Sequence, residues 1–372
     1  MVIHFSILAV ILFVSLFFEQ KNKQYALSCV DRGESFVTQS LPWILVFGYI
    51  AFLAAMRTNA NDSSLYIYSF NNLDDTWTAF WQQLSSAKDK QDWAFDAVSI
   101  LFKIIVSDNF HLWLALYAVI ETVAFISILR KNAVSIFDCC FFFFCSTLYY
   151  NYFSMMRQWF AVVIIFWASR YIEEKKFIKF LMICLVVAQF HSSAYIMIIV
   201  YFLVQGKPWS GKQMALIAAA VLAMFLMNPI LDSLESSADD MTYGYVISTM
   251  NSGSGSSVIR AFIAAVPVVL AFLYRKEIDN PMINVCVNMS ILNLLLNILA
   301  SFTSGLYIVR FSAYTNVYNM ILYPYLLNVS VKGKYRIFIK VMFYAIYFAF
   351  YVYQMNYQGA FRYGSDILGQ FY

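Results

Sequence analysis

Residues 110–131 read FHLWLALYAVIETVAFISILRK: an apolar run from Phe110 to Leu129 with Glu121 as its only acidic side chain, closed by the pair Arg130-Lys131. A helix needs about 20 such residues to cross the ~30 Å hydrocarbon core of a bilayer. A basic pair at the end of the run is the usual mark of the cytoplasmic side. On either side of this segment apolar runs recur, near 2–18, 41–56, 134–150, 157–172, 177–191, 192–205, 213–230, 258–274, 282–303, 309–328 and 337–354. Several are shorter than a perpendicular crossing, so tilted or broken helices are expected. The chain is therefore read as all-α, a polytopic transmembrane helical bundle of about 10–12 spans forming one domain over 1–372.

Composition agrees with that reading. Of 372 residues, 62% are hydrophobic and only 12% charged, half the charge a soluble surface of this size carries. The 36 Phe and 27 Tyr suit a lipid-facing exterior with aromatic belts at its edges. Cys29, Cys139, Cys140, Cys145, Cys184 and Cys286 show no metal-ligand or CxxC spacing and read as small buried hydrophobes, so no metal site is expected. No Lys/Arg block marks a nucleic-acid partner. The run Val2–Phe18 lacks a basic leader and a small-residue cleavage site, and reads as a retained first span with its N-terminus outside.

Alternating the spans places most basic residues on the cytoplasmic side, among them Lys21, Lys23, Arg130, Lys131, Lys175, Lys176, Arg275, Lys276, Lys332, Lys334 and Arg336. Reading 177–205 as one crossing inverts everything downstream and moves the last clusters outside. Two short helices meeting at His191 keep the charge rule. Two longer polar segments then face outward, 57–109 and 231–257. Within the first, Trp93, Phe95, Ala97, Ile100, Leu101, Ile104 and Ile105 form an apolar stripe. That stripe predicts an amphipathic helix on the membrane surface or re-entering it.

Against the charge rule, Arg57, Arg157, Arg260 and Arg310 each stand at the outer end of a separate span. A single arginine there commonly snorkels to lipid headgroups. Four together suggest a cationic pocket, and the guanidinium fork suits the paired oxygens of a phosphate or diphosphate. His191 lies in Gln189-Phe190-His191-Ser192-Ser193, inside an apolar stretch. An ionisable group at such depth is either functional or a hydrogen-bonded packing residue. Asp62 follows Arg57 in the outer loop, as a helix cap, a salt-bridge partner or a catalytic carboxylate.

These residues, in this order, resemble the EpsG-type members of the Wzy family of bacterial polysaccharide polymerases. The likeness runs over four pieces. Met56-Arg57 precedes Asp62, Tyr66 and Phe70. Met156-Arg157-Gln158-Trp159-Phe160-Ala161 resembles an R-Q-x-x-A helix start. Ala188-Gln189-Phe190-His191-Ser192-Ser193-Ala194 resembles A-x-x-F-H-x-S-A. Arg310-Phe311-Ser312-Ala313-Tyr314 opens a late span. Two positions depart from the pattern: Ala60-Asn61 stands where a glycine usually precedes the aspartate, and Thr315 where an aromatic follows Tyr314.

The resemblance implies an O-antigen or capsule repeat-unit polymerase in the bacterial inner membrane, its active site facing outside. Its partners would be oligosaccharide units carried on undecaprenyl diphosphate, as donor and as acceptor, with membrane lipids and a chain-length regulator, and no cofactor. Arg157, Arg310, Arg57 and Arg260 would grip the diphosphate, with Gln158, Tyr66 and Tyr314 as further substrate contacts. His191 is the first candidate base for the acceptor hydroxyl, because an imidazole exchanges protons near neutral pH, and Asp62 is the second. A single displacement would invert the anomeric centre. The competing readings are an O-antigen ligase or lipid-linked-sugar glycosyltransferase sharing the arginine pocket, and a lipid-oligosaccharide flippase. A flippase should line its midplane with charge, whereas here the ionisable residues gather toward one face.

Overall fold

The computed structural model describes residues 2–25, 36–60, 62–88, 90–216, 219, 258–302, 306–357 and 363–371. Most of the 213–230 run and the whole 231–257 loop lie outside the described residues. The other apolar runs all form helices. In chain order these are α1 (Val2–Tyr25), α2 (Phe36–Ala55), α3 (Ser63–Asn71), α4 (Trp77–Ser85), α5 (Trp93–Ile105), α6 (Phe110–Asn132), α7 (Ile136–Cys145), α8 (Asn151–Ser154) and α9 (Met156–Trp167). After them come α10 (Arg170–Glu173), α11 (Phe177–Val187), α12 (Ile196–Leu203), α13 (Val258–Leu273), α14 (Pro281–Phe302), α15 (Leu306–Asn316), α16 (Asn319–Tyr325) and α17 (Arg336–Tyr357).

Among the described residues three helices are long and apolar enough to cross a membrane unaided: Phe110–Asn132, Pro281–Phe302 and Arg336–Asn356. Others are cut short by identifiable breaks. Thr147, at φ 62°, ends the α7 segment before the chain resumes helix at Leu148. Pro324 lies inside α16, and a π-helical turn follows at Leu326–Ser330; proline lacks the N–H that would continue the ladder. Large apolar side chains on the outside, such as Leu16 (79% exposed), Phe262 (71%) and Ile337 (78%), would be untenable in water as contiguous faces and fit a lipid-facing wall. Inside, rings carry the packing: Phe125 meets Phe47, Phe143 and Phe166, and Phe142 meets Tyr323, Phe343 and Tyr347.

The 177–205 stretch is two helices folded back on each other. The Phe177 ring lies 5.1 Å from Tyr201 and 4.8 Å from Phe202, and Phe180 lies 5.2 Å from Tyr201. In one continuous helix residues 177 and 202 would be about 37 Å apart. The turn falls at Ala188–His191, where the backbone leaves the helix and His191 is extended. Gln189, Phe190 and His191 thus sit at the apex of a helical hairpin.

The amphipathic helix forms over Trp93–Ile105 as its stripe predicts, but much of that stripe packs on protein. Phe95 lies 5.6 Å from Trp113 and 5.3 Å from Tyr117, and the Trp113 indole donates to Ser99 Oγ at 3.0 Å. Ile105 stays 64% exposed. The cause is α6: its first two turns offer Trp113 and Tyr117 on the side facing α5, a better apolar partner than lipid headgroups.

The all-α expectation holds except at the C-terminus. Two short antiparallel strands, β1 (Tyr363–Ser365) and β2 (Gly369–Phe371), pair with each other, and β1 bridges to Asn59. Thr58 N–H donates to the Gly364 carbonyl at 2.7 Å, and Gly364 N–H to that of Asn59 at 2.7 Å. Tyr363 OH reaches the Leu53 carbonyl at 2.8 Å, and His111 Nε2 lies 2.9 Å from Asp366 Oδ1. The end of α2, the start of α6 and the end of the chain therefore share one face.

Candidate functional site

The site gathers where the 57–109 segment meets the hairpin apex. Asp92 stands just before α5, at the position where an aspartate ordinarily caps its own helix. Here its side chain makes no cap bond, and its backbone is left-handed at φ 56°, a conformation Asp tolerates better than most residues. Instead the carboxylate reaches across to the hairpin. Oδ1 accepts the Ser192 N–H at 2.8 Å, and Oδ2 lies 3.2 Å from His191 Nδ1 and 3.6 Å from Arg157 Nη1. Two more bonds pin α5 to the apex: Ala94 N–H to the Gln189 carbonyl at 3.0 Å, and Trp93 Nε1–H to Gln189 Oε1 at 2.7 Å. Burial pushes the Asp92 carboxyl up, but the His191 and Ser192 hydrogen bonds, with the His191 and Arg157 charges, outweigh it and hold it below the ordinary carboxylate range. It is therefore ionised at neutral pH, and its contribution to the fold is lost only as acid carries it through that lowered value.

Arg157 opens α9. Its guanidinium lies 5.5 Å from the Tyr66 ring centre and 5.4 Å from that of Phe95, so two aromatic faces and Asp92 fix its direction. It remains 37% exposed. That exposed part lines a cavity of about 410 Å³, together with Asp62, Leu65, Tyr66, Ser69, Phe95, Asp96 and Arg310. Two arginines thus share one concave surface. Asp96 is partly neutralised by Lys90 at 2.7 Å. The Asp62 carboxylate makes no hydrogen bond with any described residue, and α3 begins directly after it.

The four arginines do not converge on one pocket. Arg157 and Arg310 do. Arg57 is 2% exposed and turned inward: its Nε donates to Ser63 Oγ at 2.7 Å, and Nη1 bonds the Ala54 carbonyl. Burial pushes its guanidinium down to about 10, opposed by the charge of Glu121, so it stays a cation that anchors the loop leading to Asp62. Arg260 lines a separate cavity on the far side of α15. The further contacts also divide. Tyr66 lines the cavity, whereas Gln158 is buried and spends its amide on the Arg310 carbonyl at 2.7 Å. Tyr314 is buried too, its hydroxyl 3.0 Å from Ser193 Oγ. Both hold the site in place rather than face the cavity.

His191 is not on the cavity wall. It is one residue removed, joined through Asp92 to Arg157, with its ring 26% exposed. Asp92 is the site residue that the sequence reading passed over. The chemistry available is a pair of cations on one wall, an imidazole oriented by a carboxylate, and the wall carboxylate of Asp62, which has no partner among the described residues. The model of the EpsG family matches residues 40–365. No curated protein and no solved structure matches the chain.

Proposed function

The chain belongs to the EpsG family, and from that premise we propose that it polymerises oligosaccharide repeat units carried on undecaprenyl diphosphate. The reaction is assigned to the outer face of the bacterial inner membrane. The observation that carries the reading is the cavity holding Arg157 and Arg310, with Arg157 fixed by two rings and by the His191–Asp92 pair. In the proposed step the acceptor hydroxyl oxygen attacks the anomeric carbon of the growing chain. The bond from that carbon to the diphosphate oxygen breaks, its electron pair stays on the diphosphate, and the hydroxyl proton passes to a protein base. Arg157 and Arg310 take up the negative charge on the leaving group. One displacement inverts the anomeric centre.

The base is assigned to His191. With Nδ1 held by the Asp92 carboxylate, Nε2 is the nitrogen left to accept a proton, the arrangement by which an orienting carboxylate readies an imidazole. Asp62 is a second reading, favoured by its place on the cavity wall. Deleting the gene should leave surface polysaccharide as single repeats on the final acceptor. Complete absence of repeats there would assign a ligase, and lipid-linked units held inside would assign a flippase.

Orientation is open to a separate test. Single cysteines at Ser86 and at Gly333 should differ in spheroplasts, the first labelled by an impermeant thiol reagent and the second not. Labelling at Gly333 from outside would overturn the outward-facing site.

A further inference from the structure

Asp62, directly before α3, and Leu65, Tyr66 and Ser69 on it supply one wall of the cavity that holds Arg157 and Arg310. The helix has nine residues, short of the ~12–15 below which an isolated helix is marginal in water. Its place is therefore set by what it touches. Ile67 and Phe70 bury a second face, and the Phe70 ring stacks on Trp113 of α6 at 4.6 Å. The first turn is held through Ser63, whose Oγ accepts from Arg57 Nε at 2.7 Å and donates to the Phe153 carbonyl. Whatever moves α3 also moves Tyr66, whose ring centre lies 5.5 Å from the Arg157 guanidinium.

The last turn of α3 is held from α5. Lys103 Nζ lies 2.6 Å from the Leu73 carbonyl, 3.3 Å from that of Phe70 and 3.3 Å from that of Asn71, with the Phe70 ring centre 5.4 Å away. An ammonium has three N–H donors and accepts nothing, so its whole hydrogen-bonding capacity is spent on the end of α3. A helix leaves its last carbonyls without internal partners, and that end is also the negative pole of its dipole, so a cation there answers both needs. Lys103 belongs to the outward segment 57–109, where the charge rule disfavours cations. It does not line the cavity. Its charge serves the wall and not the ligand.

We infer that Lys103 is a positioning residue, which fixes α3 and with it the wall of Asp62, Tyr66 and Ser69 against the substrate in the Arg157–Arg310 cavity. Its effect on turnover rests on the polymerase reading above, whereas the clamp itself does not. The test uses the purified full-length protein in nanodiscs, with backbone hydrogen exchange as one readout and polymerisation of lipid-linked repeat units as the other. Lys103→Met keeps the apolar stem and removes the three donors. Exchange over Ser63–Leu73 should then run at least about tenfold faster, the usual worth of hydrogen bonds to a charged group, while α14 keeps its wild-type rate. KM for the repeat units should rise by a similar factor with kcat nearly unchanged, because Arg157 and His191 stand on other elements. Lys103→Arg, which keeps a charge and several N–H donors, should restore most of both. Lys103→Gln, with one uncharged amide, should fall between. Unchanged exchange in Lys103→Met and Lys103→Gln would overturn the clamp. Faster exchange with an unchanged KM, or a loss confined to kcat, would overturn the positioning role and leave the polymerase reading standing. If wild type joins no repeats, the polymerase reading falls, and the Kd for undecaprenyl diphosphate decides the positioning role. That Kd should weaken about tenfold in Lys103→Met, and an unchanged Kd would overturn it.

Discussion

Arg157→Ala should lower polymer formation by at least about 10²–10³-fold, the usual loss when one donor to a developing charge is removed, with the protein present at normal levels. The expectation follows from how the residue is held. Tyr66, Phe95 and Asp92 together fix the guanidinium on the cavity, so little ordering remains to be done when the diphosphate departs. Arg157→Lys should recover only part of the activity, since an ammonium matches neither the two-oxygen grip nor the stacking between rings. Substituting Lys90, which pairs with Asp96 at the surface, should cost little. Full activity in Arg157→Ala, measured as polymer length and yield, would remove the leaving-group role from this cavity.

The second large effect is expected at the His191–Asp92 pair. If the imidazole takes the acceptor proton, His191→Gln should reduce turnover by about 10²–10⁴-fold, the range for a lost general base, while donor binding at Arg157 and Arg310 persists. Asp92→Asn should fall as far. An amide in place of the carboxylate donates toward Nδ1 and drives the imidazole proton onto Nε2, the wrong nitrogen, and it also releases Arg157 from its anchor. His191→Gln keeps the imidazole's hydrogen-bonding capacity without its proton transfer, so it separates catalysis from packing. Asp62→Asn is the parallel case. Near-normal turnover in His191→Gln together with collapse in Asp62→Asn would transfer the base to the cavity-wall carboxylate.

Much of this architecture is legible in the sequence because the bilayer imposes a simple rule. A helix must bury its own backbone bonds, so each apolar run such as 110–129 reads directly as a helix. The hairpin at 177–203 was legible through charge placement, since only two passes keep Lys332 and Lys334 with the other basic residues. Arg157 and Arg310 stood out by lying on the wrong side of that charge rule. Arg57 and Arg260 stood out for the same reason, yet they point elsewhere: a charge count records which end of a helix a residue occupies and not the direction of its side chain.

Asp92 escaped notice because an aspartate before an amphipathic helix already has an ordinary explanation as a cap. Only the fold shows that its carboxylate is diverted across to Ser192 and His191. The signal available was its place before a stripe whose helix had to be anchored to something. The C-terminal strands were equally hidden. Tyr363–Ser365 is too short to show a pattern, and it is ordered by pairing with Thr58 and Asn59, some 300 residues away along the chain.

The most direct test of the central claim uses the purified protein alone, with lipid-linked repeat units as the only substrate. Products are read as a ladder of chain lengths on undecaprenyl diphosphate. Wild type should convert single repeats into longer chains and release one undecaprenyl diphosphate for each unit added, and Arg157→Ala should leave the repeats unjoined. Repeats that stay single with folded wild-type protein, or an undiminished ladder from Arg157→Ala, would contradict the account.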